Sequence, residues 1–154
     1  MNPIIIINIF AFLVSYLAME GVAWLTHKYI MHGVLWNLHE SHHKPRHGRF
    51  EKNELFFLFY ASIAMILMAY GYENFDYRFW MGIGVTAYGF TYFILHDVFI
   101  HRRGKFLDKL DNNYFRAMRK AHKVHHKNMG KAECEEFGLL LFDKRHYSKN
   151  SNNK

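Results

Sequence analysis

Long apolar runs alternate with short, basic, histidine-rich stretches along this chain. Pro3 to Leu25 carries one charged residue, Glu20, and Leu55 to Tyr72 carries none. Phe79 to Leu95 carries none either, and the apolar character continues past His96 and Asp97 to Ile100. At about 1.5 Å per residue, helices of roughly 17–23 residues match a hydrocarbon core about 30 Å thick. The pattern therefore predicts an all-α integral membrane protein with three transmembrane helices and a histidine-rich helical cap. Phe79–Ile100 is too short for two crossings, and Gly82, Gly84 and Gly89 are the places where it would bend. Phe137–Phe142 is a candidate fourth element, partial or interfacial. The first run lacks a positive leader and a convincing small-x-small cleavage site, so it is expected to be a retained span.

With 154 residues the chain reads as one domain over 1–147, followed by a polar, disordered 148–154 tail. Its aromatic content is 18% and its formal charge +7. Of 20 Lys and Arg, 5 lie between Thr26 and Asn53, 1 between Glu73 and Arg78, and 14 beyond His101. Under the positive-inside rule both basic regions face the cytoplasm, while the N-terminus and the Glu73–Arg78 turn face out. Basic segments beside membrane spans suit anionic lipid, at about 1 kcal/mol per Lys or Arg near the surface, and argue against nucleic acid. A single cysteine, Cys134, excludes an internal disulfide and a thiolate cluster.

Ten of the twelve histidines fall into two copies of one pattern. His27 and His32 are followed by His39, His42 and His43; His96 and His101 are followed by His122, His125 and His126. Each copy is HxxxxH then HxxHH, and the three-span topology puts all four boxes on the cytoplasmic side. Imidazole is the commonest metal ligand among side chains, and ten of them suit a two-metal centre. On a helix, HxxHH projects three nitrogens from one face, giving two three-nitrogen claws. HxxxxH separates its rings by about 140° on a regular helix. Either the helix distorts there, or each pair straddles two metals. His47 and His146 lie outside the boxes and read as ordinary surface residues.

Carboxylates are sparse. Glu20 shares a helical face with His27 and sits inside a membrane segment, which makes it a functional candidate. Glu40 and Asp97 lie within boxes and are candidates to orient imidazole N–H groups from behind the metal ligands. Glu133, Glu135 and Glu136 read as solvated or capping charges. Trp24, Tyr29, Trp36, Tyr92, Phe93 and Phe99 are near enough to the boxes to line a route for an apolar substrate.

These boxes, and the stretches Glu20–His32, His39–His47 and His96–Gly104 around them, resemble the membrane fatty acid hydroxylase/sterol desaturase superfamily. Within it the short length and the paired box order are similar to the bacterial β-carotene 3-hydroxylase group. The resemblance covers nearly the whole chain, to about Tyr147. It implies O2-dependent hydroxylation of carotenoid β-ionone rings at C3, from β-carotene through β-cryptoxanthin to zeaxanthin. It implies two iron ions held by the ten box histidines, with zinc as a replacement after purification, in the bacterial inner membrane. One oxygen atom leaves as water, so two external electrons are needed. The chain has no GxGxxG loop and no cysteine set for an iron–sulfur cluster, so a partner such as ferredoxin with its reductase is expected to supply them. Two other readings compete. One is a fatty acid or sterol oxygenase of the same superfamily. The other is a membrane metal-binding or transport protein, which the lack of ionisable groups along a path between the two faces disfavours.

Overall fold

The computed structural model describes residues 2–44, 51–104, 107, 109–128, 130–132 and 134–147. Helix α1 runs over Pro3–Leu25 and continues into a π-helical stretch, Thr26–Val34, which is kinked at Gly33. Helix α2 covers Trp36–His43, α3 Glu54–Gly71 and α4 Tyr77–Tyr92, with a second π-helical stretch at Phe93–Ile100. Helix α5 is Asn113–Lys127, and a single 3₁₀ turn forms at Lys144–His146. Among the described residues there is no strand.

The three apolar patterns become the three long helices. Pro3–Val34, Glu54–Gly71 and Tyr77–Ile100 are each long and apolar enough to cross a membrane. Local chemistry sets their starts. The Asn2 side chain accepts the N–H of Ile4 at 3.0 Å and Pro3 takes the first turn, where no N–H is needed. The Asp76 side chain accepts the N–H of Arg78 at 2.9 Å and opens α4.

Helix α4 is the central element and packs against both α1 and α3. Gly82 and Gly84 serve close approach rather than bending, and α4 is continuous through Gly89 as well. A Cβ on Gly84 would lie 2.0 Å from Ser15 Oγ, and one on Gly82 2.7 Å from the Ala64 carbonyl oxygen. Small residues are the usual means by which membrane helices meet, since lipid provides no hydrophobic drive between them. The outward faces are oily: Phe10 and Leu17 are 66% and 68% exposed, as befits side chains that meet acyl chains.

The C-terminal ends of α1 and α4 and the start of α3 meet at one end of the bundle, where α2, α5 and the segment 134–147 form a cap. The far end is closed by the turn before α4, where Asn8 Nδ2 donates to the Phe75 carbonyl at 3.1 Å. All four histidine boxes therefore gather at the cap end. Phe137–Phe142 is not a fourth helix. It is an irregular strap over the cap, and its backbone N–H groups turn to a side chain of α1 instead of to one another.

Candidate metal centre

The interior of the cap is built of imidazoles, and they fall into two sets. In the first, one nitrogen each from His27, His32, His39, His43 and His125 lies within 4.8 Å of all the others; in the second the same holds for His42, His96, His101 and His122. His126 completes the second set, with its ring 4.4 Å from that of His122 and 4.9 Å from that of His42. The sets share a wall, because the rings of His43 and His126 stack at 4.5 Å.

Backbone geometry explains the HxxxxH spacing. In a π-helical turn the bond runs from residue i+5 back to residue i, so residues five apart stand one above the other. The N–H of Leu35 bonds the Ile30 carbonyl at 2.9 Å, and that of His101 bonds the His96 carbonyl at 3.0 Å. His27 and His32 consequently approach to 5.2 Å between ring centres, and His96 and His101 to 4.7 Å. The helix distorts, and each HxxxxH pair serves one set.

The HxxHH boxes behave differently from three-nitrogen claws. His39 and His43 enter the first set while His42 crosses to the second; His122 and His126 enter the second while His125 crosses to the first. On α2 and α5 a residue four positions on is displaced by about +40° and one three positions on by about −60°, so i and i+4 share a side and i+3 leans to the other. The duplicated sequence thus becomes two sets that exchange one imidazole each.

Hydrogen bonding fixes which nitrogens face inward. Backbone carbonyls, which can only accept, sit at the Nδ1 of His27 (Phe137, 2.9 Å), His32 (Lys131, 3.2 Å), His43 (Asn128, 3.2 Å) and His125 (Glu135, 2.7 Å). Asn53 Oδ1 takes the same role at His39, at 2.7 Å. Each Nδ1 therefore carries the proton, and each Nε2 presents a bare lone pair. Yet the Nε2 atoms of His27 and His39 are 3.1 Å apart, those of His39 and His43 3.2 Å, and those of His32 and His125 3.2 Å. Lone pairs at that distance repel. A cation with bonds of about 2.0–2.1 Å would place neighbouring nitrogens at about this spacing and reverse the sign of the interaction.

The second set repeats the arrangement with carboxylates behind it. His42 Nδ1 meets Glu51 Oε2 at 3.2 Å, and His96 Nδ1 meets Asp97 Oδ2 at 3.4 Å. Arg103 bridges both acids, at 3.0 Å to Glu51 and 2.8 Å to Asp97. The Nε2 atoms of His101 and His122 are 3.0 Å apart. Those of His42 and His126 are buried with no hydrogen-bond partner among the described residues, which a buried polar atom tolerates poorly unless a metal takes the lone pair. Both sets fit metal ions.

Electrostatics keep these nitrogens available. Burial in the first place, then crowding by neighbouring imidazoles, holds His39, His125 and His43 down at about 2, 3 and 4, and His42, His122 and His126 likewise well below the usual histidine range. Neutral imidazole is the ligating form, so the cap is preset for a cation.

The fatty acid hydroxylase family profile matches residues 12–146, which takes in every one of these histidines. The chain belongs to the fatty acid hydroxylase family. Among curated relatives it is 41% identical over 135 residues to the β-carotene hydroxylase of Pseudescherichia vulneris, covering 88% of this chain and 77% of that protein. Identity to the β-carotene hydroxylase of Pantoea ananas is 41% over 127 residues, covering 82% and 73%. The chloroplastic β-carotene 3-hydroxylase 1 of Arabidopsis thaliana is 38% identical over 127 residues, covering 80% of this chain and 40% of that longer protein. No solved structure matches the chain significantly.

Within this family member the other candidate residues divide. Asp97 places a carboxylate oxygen 3.4 Å from the Nδ1 of His96. Glu40 does not orient a ring: one position beyond His39 it has turned to the outer face of α2, where it pairs with Lys44 at 2.7 Å. Glu20 meets the strap rather than an imidazole. His146, expected at the surface, is buried and bonds Glu136 at 2.7 Å; Glu136, expected to be solvated, is nearly buried with it. His47 and Glu133 lie outside the described residues, as does the 148–154 tail. Tyr92 stacks on His96 at 4.7 Å and Trp36 lies 5.1 Å from His32, while Phe93 faces outward and Phe99 is buried under the Arg119 guanidinium. Trp24 and Tyr29 pack edge-on against each other, 6.0 Å between ring centres.

Sequence reasoning missed Glu51, Asn53 and Phe137. Phe137 lays its ring 5.2–5.4 Å from those of His27, His32 and His125. The polar run 51–54 before α3 was the available signal for the first two. A backbone carbonyl that orients a ligand leaves no mark in the sequence.

Proposed function

We propose that this protein hydroxylates the β-ionone rings of carotenoids at C3, converting β-carotene to β-cryptoxanthin and then to zeaxanthin. The observation that carries the reading is the pair of imidazole sets, five rings in one and four in the other with His126 beside them, in a chain about two-fifths identical to bacterial proteins named β-carotene hydroxylases. His27, His32, His39, His43 and His125 hold one iron ion, and His42, His96, His101, His122 and His126 the other. Zinc also accepts imidazole nitrogen and can replace iron after purification. The iron pair, when bound, would supply activation of O2, from which the oxygen atom of the product comes.

The protein's own residues prepare that chemistry. Carbonyls and carboxylates at Nδ1 set one tautomer on each ring they touch and aim its Nε2 lone pair inward. Phe137 and Trp36 cover the first set with apolar surface and limit water there. The oily outer faces of the three spans suit a long hydrocarbon substrate that lies in the bilayer and raises one end ring to the cap. Each turnover consumes a C–H bond, O2, two electrons and two protons and yields an alcohol and water. A ferredoxin with its reductase delivers the electrons, and the basic cap suits docking of an acidic carrier. The charge distribution supports a cap on the cytoplasmic side of the inner membrane by the positive-inside rule.

Expression in a β-carotene-producing host, with pigments separated by chromatography, tests the assignment. β-Cryptoxanthin should appear first and zeaxanthin follow, with both hydroxyl oxygens derived from labelled O2. Unchanged β-carotene alongside oxidised fatty acids or sterols would move the protein to another substrate class of the same family.

A further inference from the structure

Glu20 is buried in α1, two helical turns before His27, yet its hydrogen bonds among the described residues go elsewhere. Oε1 accepts three consecutive backbone N–H groups, from Leu139 at 3.0 Å, Leu140 at 2.8 Å and Leu141 at 3.0 Å. Oε2 accepts the Tyr88 hydroxyl from α4 at 2.7 Å. A polar side chain in a membrane helix is costly unless it is satisfied, and this one is satisfied by a segment some 120 residues away in sequence. Three adjacent N–H groups converge on one oxygen only where the backbone turns tightly. Gly138 provides for this, since a Cβ there would lie 2.2 Å from the Leu141 carbonyl oxygen and 3.3 Å from Glu20 itself.

The segment that Glu20 grips is the one that orients the first imidazole set. The carbonyls of Glu135 and Phe137 take the Nδ1 protons of His125 and His27, and the Phe137 ring lies on three of the five imidazoles. Other contacts close the strap without reaching the metal ligands. Tyr114 donates to the Leu140 carbonyl at 2.9 Å, and Glu136 accepts from the Asp143 N–H at 3.1 Å and bonds His146. The second set draws its partners from Glu51 and Asp97, neither of which is on the strap.

We propose that Glu20 is a positioning residue for the first site: it fastens the 134–142 strap to α1 and so holds the carbonyls that orient His27 and His125. The assignment rests on the metal reading given above. It requires that loss of Glu20 weaken one metal site and spare the other, which a general folding role would not do.

The test uses the full chain in lipid nanodiscs, titrated with Co(II) in place of iron, with backbone amide exchange followed by mass spectrometry. Wild type should bind two ions. Glu20→Ala should bind one normally and the other about 10–100-fold more weakly, the range for losing a partner that orients a ligand. His27→Ala, in which a first-set ligand itself is removed, should lose the same ion. In Glu20→Ala the amides of 139–141 should exchange faster, while those of α5 keep wild-type protection. Glu20→Gln keeps an acceptor oxygen for the strap and should restore the ion of the first site. Gly138→Ala attacks the strap from its own side and should repeat the site-selective loss even if Glu20→Ala does not fold. Wild-type affinity for both ions in Glu20→Ala or Gly138→Ala, or equal weakening of both sites, overturns the proposal. A wild-type chain that binds fewer than two ions would instead overturn the metal reading beneath it.

Discussion

The two imidazole sets grow from the same repeated pattern, and they differ in what stands behind the rings. The first is backed by neutral acceptors: four backbone carbonyls and the Asn53 amide. The second is backed at His42 and His96 by Glu51 and Asp97, with Arg103 spanning both acids. A carboxylate behind an imidazole raises the basicity of the ligating nitrogen, whereas a carbonyl mainly fixes its orientation. Two ions bound here would meet unequal donors even though both are surrounded by five imidazoles. The comparison also shows two ways to support a ligand. One borrows main chain from a long segment that must be held in place. The other uses side chains from just before α3 and from the π-helical stretch after α4, tied together by one guanidinium.

The largest effect is expected where the sites exchange ligands. His125→Ala should remove an ion from the first site although its helix mainly serves the second, and His42→Ala should do the converse. Each is expected to leave one ion per chain by metal analysis and to abolish zeaxanthin formation in cells. If either variant empties the site fed by its own helix neighbours, the exchange of ligands is wrong.

Substitutions behind the rings should come next in size. Glu51→Ala should weaken the second site about 10–100-fold and leave the first unchanged, with Asn53→Ala doing the reverse. Arg103→Gln sharpens the contrast further. By releasing the negative charge of two carboxylates it should alter the spectrum of an ion in the second site and not that of one in the first. Identical spectra for wild type and Arg103→Gln would mean that the acids act by orientation alone.

Packing in the bundle should affect both sites together. Gly84→Ala pushes a methyl against Ser15 and the Phe12 carbonyl, between the helix that carries His27 and the one that carries His96. A loss of about 1–3 kcal/mol, the usual cost of overpacking, is expected in thermal unfolding, with both ions weakened alike. The smallest effect belongs to His146, which bonds Glu136 at the end of the strap and touches no ligand directly. His146→Ala should weaken the first site only a fewfold by the same titration. A loss as large as that of His125→Ala would make it a ligand instead.

Much of the fold was legible because burial in lipid imposes a one-dimensional rule. Every backbone polar group must be satisfied within its own helix, so apolar length alone announces a span, and three runs became three helices. The ten histidines were legible for a related reason, as ligand chemistry requires particular side chains at particular spacings. Even the π-helical stretches were written in the five-residue gap of HxxxxH, had the gap been taken as a helical repeat rather than as an obstacle.

The sequence by itself thus determined the number of spans, their order, and the set of imidazoles that meets at one end of the bundle. Which imidazole joins which set was decided in three dimensions, because a rotation of about 40° or 60° around α2 and α5 acquires meaning only when a second helix stands opposite. The same holds for Glu20. Its place in α1 marked it as important, but its partners are backbone N–H groups some 120 residues on, and every non-proline residue carries that donor. Main-chain groups have no letter in the sequence. Only folding chooses which of them will face a carboxylate or an imidazole.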